Sequence, residues 1–111
     1  MMQRALVTGS TGFLGNAIAQ ELNLRGFEVV QFDVQAPSHD LGNVVVGDIR
    51  DTEAVRTAAS DCDVVFHCAA IAELEDASRE PRLATDVNVM GTLTVLEAAC
   101  EVGVSRFMHA S

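Results

Sequence analysis

Tyrosine, tryptophan and lysine are absent from this chain: all seven basic residues are arginine, and the aromatic side chains are five phenylalanines. Chemistry that needs a tyrosine hydroxyl as acid or base, or a lysine ammonium beside it, cannot be completed by these residues. Cysteine is scarce as well. Cys62, Cys68 and Cys100 are odd in number and show no CxxC spacing, which argues against a disulfide framework or a cysteine-rich zinc site and for reduced thiols in a cytoplasmic protein. Nor does any His/Asp/Glu set show metal-ligand spacing. Positive charge is short: seven arginines face 16 carboxylates, a net charge of −9 at pH 7. Such a surface repels nucleic-acid backbones and anionic lipid, so neither is an expected partner. No apolar run reaches the ~18 residues of a membrane span. Arg4 to Val7 runs directly into a glycine-rich turn, which leaves no room for a signal peptide.

What is present is apolar and patterned. Hydrophobic residues make up 49% of the 111, which excludes disorder and supplies one core. Ala5-Leu6-Val7 reads as a short buried strand. From Phe13 to Arg25, Leu14, Ala17, Ile18 and Leu22 recur at helical spacing, and Gly26 stands where the helix ends. Glu28 to Asp33 reads as a second strand, Pro37 to Gly42 as a loop, and Val44 to Val46 as a third strand. Asp51 is placed to cap a helix through Ala59. Asp63 to Cys68 reads as a fourth strand, apolar on both faces. Glu73 to Pro81 is polar loop, Leu83 to Val102 one long helix stopped by Gly103, and Phe107-Met108-His109 the opening of a fifth strand. The alternation predicts an α/β fold: a parallel sheet of about five strands with helices on both faces, read as a single domain over residues 1–111 and truncated after strand five.

Thr8-Gly9-Ser10-Thr11-Gly12-Phe13-Leu14-Gly15 lies between the first strand and the first helix. Gly9 can turn the chain off the strand, Gly12 carries no Cβ to block a diphosphate, and Gly15 lets the helix lie close on the sheet. The helix mouth then offers free N–H groups and about half a positive charge to phosphates. Thr11, Phe13 and Leu14 belong to the same mouth. Asp33 follows Gly15 by 18 residues at the end of the second strand, where a carboxylate accepts both ribose hydroxyls of an adenosine. A 2′-phosphate there would meet a negative charge, and Val34-Gln35-Ala36 supplies no cation. NAD is therefore expected over NADP. Gly15 is succeeded by Asn16-Ala17, so the turn is not that of a P-loop nucleotidase.

The chain resembles the extended short-chain dehydrogenase/reductase family, the NAD-dependent epimerase/dehydratase group. TGSTGFLG carries two residues between successive glycines, as that family's fingerprint does. Gly47-Asp48-Ile49-Arg50-Asp51 is similar to its GDI/L-RD segment, which implies Asp48 near the adenine amino group and Ile49 against the ring. His67-Cys68-Ala69-Ala70 resembles the HxAA motif, whose small residues line the cofactor's passage towards its nicotinamide. Asn88-Val89-Met90-Gly91-Thr92 with Leu96-Glu97-Ala98-Ala99 resembles the NVxGT…LEAA helix, and Ala110-Ser111 the start of an (A/T)SS run. The implied cofactor-proximal set includes Cys68, Ala69, Ala70, Asn88 and Ala110.

The resemblance further implies a YxxxK pair and a catalytic serine, and these 111 residues hold no such pair. No catalytic residue is assigned, and the chain is expected to bind NAD weakly or incompletely and to catalyse nothing alone. The substrate implied is a small molecule, a nucleotide sugar or a related hydroxy/keto compound, and the implied assembly a homodimer. Two rival readings stay open: a non-catalytic dinucleotide-sensing module on the same fold, and a hydroxysteroid-dehydrogenase-like reductase. His67 reads as a packed, hydrogen-bonded core histidine, His109 as core or near the cofactor, and Glu73, Glu75 and Asp76 as a solvated face.

Overall fold

The computed structural model describes residues 2–69 and 78–110. Ala70 and the acidic group Glu73, Glu75 and Asp76 lie outside the described residues, as does Ser111. Five strands form one sheet: β1 (Arg4–Thr8), β2 (Glu28–Asp33), β3 (Asn43–Val46), β4 (Val64–His67) and β5 (Arg106–His109). Their order is β3-β2-β1-β4-β5 and every pairing is parallel. This is the strand order of a Rossmann-type sheet, in which the chain reverses direction of growth between β1 and β4.

The period-two alternation of each strand divides the apolar residues between two cores. Ala5, Val7, Val29 and Val64 meet Ala19 and Leu22 of helix α1 (Phe13–Leu24) on one face. Leu6, Val30, Phe32 and Val65 meet Val55, Ala58, Val95 and Ala98 on the other. That second face is covered by α2 (Thr52–Ala59) and α4 (Thr92–Val102). Helices therefore lie on both faces, as the periodicity predicts. Gln31 is buried too, and both ends of its amide are bonded: Nε2–H donates to the His39 carbonyl at 2.9 Å and Oε1 accepts from the Leu41 N–H at 2.8 Å. The loop before β3 is thus tied to the sheet by a polar side chain that pattern reading counts against a core.

Most element bounds fall within a residue of expectation, and Asp51 accepts from the Ala54 N–H at 3.2 Å as the cap of α2. Two expectations need correction. The long helix begins earlier and is not uniform. It starts with α3 (Pro81–Thr85), whose first residue is a proline that has no N–H to lose there. It then passes through a π-helical segment, Asp86–Gly91, before α4. The widened turn brings Gly91 onto Ile49, where a Cβ would stand 2.5 Å from Ile49 Cδ1. The second correction concerns β5. Among the described residues β5 pairs only with β4, and Arg106, Met108 and His109 are exposed, so of the two places expected for His109 the core is not the one it takes. The His109 ring instead stacks on His67 with centroids 5.3 Å apart.

Candidate functional site

In a parallel sheet the carboxyl ends of the strands open a crevice where the strand order reverses. A cleft of about 450 Å³ occupies that place. Its lining comes from the end of every strand from β1 to β4: Gly9, Thr11 and Gly12 after β1, Phe32-Asp33-Val34 at β2, Gly47 to Arg50 after β3, and Cys68-Ala69 after β4. Leu83 and Val87, one turn apart on the helical segment, close the side beside Ile49.

The glycine turn owes its shape to three close approaches. Gly9 has φ +70°, and a Cβ on it would lie 2.7 Å from the Ala69 nitrogen. A Cβ on Gly15 would lie 2.0 Å from the Gly9 carbonyl oxygen, so α1 can start only against a bare residue. Gly12 is different. A Cβ there meets only the Gly9 carbonyl oxygen at 3.4 Å, an ordinary contact, and its φ of −74° suits any residue. Its bareness serves the space in front of it. Among the described residues no side chain caps α1, so the first N–H groups of Phe13, Leu14 and Gly15 have no partner within the helix. Both the Phe13 and Leu14 side chains are exposed.

Asp33 is held beside this mouth. Its Oδ2 accepts from the Thr11 N–H at 2.9 Å and from the Thr11 hydroxyl at 2.6 Å, and its Oδ1 accepts from the Val34 N–H at 2.7 Å. At the other end of the cleft Asp48 pairs with Arg50, Nη2 to Oδ2 at 2.7 Å. Hydrogen bonds from Arg50 hold the Asp48 carboxyl below the usual carboxylate range. Burial pushes the Cys68 thiol up, so it stands in the cleft wall as a protonated, unreactive group.

Behind the wall, His67 is 1% exposed and bonded at both ring nitrogens, to Thr8 Oγ1 at 2.7 Å and Thr92 Oγ1 at 2.8 Å. Its packed, hydrogen-bonded character is as the sequence suggests. Burial, and then the charge of His109, push its pKa down to about 4, so it is neutral near pH 7.

Of the expected residues, Gly9, Thr11, Gly12, Asp33, Asp48, Ile49, Cys68 and Ala69 line the cleft, and Gly15 lies directly beneath the turn. Asn88 does not line it; it sits half-buried on the π-helical segment, its carbonyl accepting from Thr92 Oγ1–H at 2.7 Å. Ala110 lies beyond the cleft, its N–H bonded to the His67 carbonyl at 3.1 Å. Phe32, Val34, Gly47, Arg50, Leu83 and Val87 line it without having been singled out. Leu83 and Val87 carry a faint signal, an i, i+4 apolar pair on a helix that follows the glycine turn in the chain. Arg50 carries one as well, two residues after a carboxylate assigned to a base. Among the described residues no group of three His, Cys, Asp or Glu is placed to hold a metal ion.

The sequence model of the NAD dependent epimerase/dehydratase family matches residues 5–111. A 3-beta-hydroxysteroid dehydrogenase of Mycolicibacterium neoaurum is 39% identical over 97% of this chain and 31% of its own length. A UDP-glucose 4-epimerase of Rhizobium meliloti is 31% identical over 96% of this chain and 34% of its own. The chain thus spans about a third of the curated relatives it matches. Among solved structures, the UDP-glucose 4-epimerase of Thermus thermophilus in complex with NAD superposes with a TM-score of 0.83, at 33% identity, over 95% of this chain and 36% of that one.

Proposed function

The chain belongs to the NAD dependent epimerase/dehydratase family, and from that premise we propose that residues 1–111 form one NAD-binding unit of an epimerase/dehydratase-type oxidoreductase. The observation that carries the reading is the bare cradle between Gly9, Gly12 and Gly15 at an uncapped helix mouth, with Asp33 beside it. The N–H groups of Phe13 and Leu14 would hold the diphosphate, which a Cβ on Gly12 would crowd. Asp33, whose Oδ2 now accepts from the Thr11 hydroxyl, would accept from the adenosine ribose. Ile49, Leu83 and Val87 would hold the base, with Asp48 available to its amino group. Cys68 and Ala69 would flank the way out after β4, and Asn88 and Ala110, which lie outside the cleft, would meet the cofactor only beyond it. Bound NAD supplies hydride chemistry at its nicotinamide ring, and this chain's residues bind and orient it.

No lysine or tyrosine is available for a proton-transfer pair, so these 111 residues are proposed to turn over no substrate by themselves. The substrate is a small hydroxy/keto compound, a nucleotide sugar in the first reading. The higher of the two identities, 39% to a 3-beta-hydroxysteroid dehydrogenase, favours a hydroxysteroid as the second. Association is proposed as a homodimer, because Val89, Met90, Leu93 and Leu96 form an exposed apolar stripe along one helical segment. Its three free cysteines suit a reducing cytoplasm, and among the described residues no helix is long and apolar enough to cross a membrane.

Calorimetric titration with NAD and NADP, repeated on Asp33→Asn, tests the reading. NAD is expected to bind more tightly than NADP. The substitution removes the carboxylate's charge, a loss of about 1.5–3 kcal/mol or one charge-assisted hydrogen bond's worth, lowering NAD affinity about 10- to 150-fold. Equal binding of the two dinucleotides, or an Asp33→Asn variant indistinguishable from wild type, would overturn it.

A further inference from the structure

Asp48 does not stand free in the cleft. Its Oδ1 accepts from the Arg50 backbone N–H at 2.8 Å and from Nε–H at 3.0 Å. Its Oδ2 accepts from Nη2–H at 2.7 Å, with a weaker share of Nε–H at 3.2 Å. The other arm of the guanidinium, Nη1–H, donates to Asp86 Oδ2 at 2.7 Å. Asp86 opens the π-helical segment, which carries Val87 in the cleft wall and Gly91 against Ile49. Arginine's planar fork suits this double duty, for it fixes a carboxylate in its own plane while a further N–H reaches elsewhere.

A carboxylate offers about four lone-pair sites. Arg50 fills both on Oδ1 and one on Oδ2, which leaves a single strong acceptor position, on Oδ2, with its direction fixed by the fork. We propose that Arg50 is a positioning residue for base recognition, aiming the last acceptor of Asp48 at the 6-amino group of adenine while latching the Val87 wall of the base pocket through Asp86. The inference rests on the NAD reading above. Arg50 touches no cofactor atom in this scheme and acts through the carboxylates it holds. Without the fork Asp48 gains rotamers and water, and its preference for a donor over an acceptor at that position of the base weakens.

Nicotinamide hypoxanthine dinucleotide tests this, because it presents a carbonyl oxygen where adenine presents an amino group, and an N1–H where adenine N1 accepts, with the rest of the dinucleotide unchanged. Both dinucleotides are titrated calorimetrically into the wild-type chain, Arg50→Met, Arg50→Lys and Asp86→Asn. The wild type should favour NAD on the order of 10-fold, one charge-assisted hydrogen bond's worth. Arg50→Met should bring that ratio to within about 2-fold, Arg50→Lys should retain part of it, and Asp86→Asn, which leaves the Arg50–Asp48 fork intact, should keep it. A merely structural role for Arg50 would weaken both dinucleotides equally and leave the ratio unchanged, which would overturn the proposal. A wild type that binds both equally would overturn it too, while leaving the NAD reading in place. A wild type that binds neither would instead overturn the NAD reading, and this inference with it. If circular dichroism finds Arg50→Met unfolded, Arg50→Lys decides: an ammonium cannot hold both oxygens, so an undiminished ratio would overturn the proposal.

Discussion

Thr8 Oγ1 and His67 Nδ1 stand 2.7 Å apart at the carboxyl ends of β1 and β4, and the bonds around them run in one direction. Thr8 Oγ1 already accepts from the Cys68 N–H at 3.0 Å and the Ala69 N–H at 3.2 Å, so its hydrogen goes to Nδ1. Thr92 Oγ1–H is spent on the Asn88 carbonyl, so Thr92 accepts from His67 Nε2–H. The ring is therefore assigned as the neutral Nε2–H tautomer. It ties the glycine turn's strand, the cleft wall after β4 and the π-helical segment into one chain of hydrogen bonds.

Acid should break that chain. A proton on Nδ1 would face a hydroxyl whose lone pairs are taken by two backbone N–H groups. His67 has its pKa pushed down to about 4, against about 6.5 for an unfolded histidine. Between those values the unfolded state binds the extra proton and the folded state refuses it, so stability is full above about pH 6.5 and falls as pH drops towards about 4. The loss attributable to this ring reaches at most about 3 kcal/mol. Urea denaturation at about pH 7, 5.5 and 4.5 measures it. A His67→Gln variant should be less stable at neutral pH but nearly flat across this window; an equally steep slope in the variant would assign the effect to other groups.

The glycines of the turn should separate folding from binding. Gly15→Ala places a Cβ 2.0 Å from the Gly9 carbonyl oxygen, a backbone clash no rotamer relieves, and should cost about 3 kcal/mol or more. Gly12→Ala meets only a 3.4 Å contact at a φ that alanine accepts, so its urea midpoint should stay within about 0.5 kcal/mol of wild type. Its NAD affinity, however, should fall at least about 10-fold, because the methyl group fills the diphosphate's place. Loss of stability in both variants, or of binding in neither, would contradict the assigned geometry.

This contrast also shows what could be read from the chain alone. The turn, the strands and Asp33 were legible because each is written locally: a glycine between a strand and a helix, an alternation, a carboxylate at a strand's end. The π-helical segment was not, because no local motif marks it and its contact, Gly91 on Ile49, joins residues far apart in the chain. Arg50 was passed over for the same reason, since its third bond goes to Asp86 across the fold. For His109, expected in the core or near the cofactor, only the core half is at odds with its exposure.

Thr92 should matter more as an acceptor than its place on a half-exposed helix suggests. Thr92→Val keeps the shape and removes the oxygen, leaving the buried His67 Nε2–H without a partner. An unsatisfied buried donor costs about 1–3 kcal/mol, whereas Thr92→Ser keeps the oxygen and should lose less than about 1 kcal/mol. Paired urea titrations of the two variants check this. A Thr92→Val loss no larger than that of Thr92→Ser would mean that the hydrogen bond to His67 contributes little.

The approach of Gly91 to Ile49 offers a test of why the helical segment widens. A Cβ on Gly91 would lie 2.5 Å from Ile49 Cδ1 and 2.7 Å from Cγ1. Ile49 is buried and lines the cleft, so it cannot yield without turning into the cleft or displacing the core around Val95. Gly91→Ala should therefore cost about 1–3 kcal/mol and weaken NAD binding at the same time. Ile49→Ala alone should cost about 2–4 kcal/mol by leaving a cavity. Combined, the two changes should be cheaper than their sum by about 1 kcal/mol or more, because the new methyl group enters the space the isoleucine vacates. Additive losses in the double-mutant cycle would mean that the π-helical turn is held by something other than this contact.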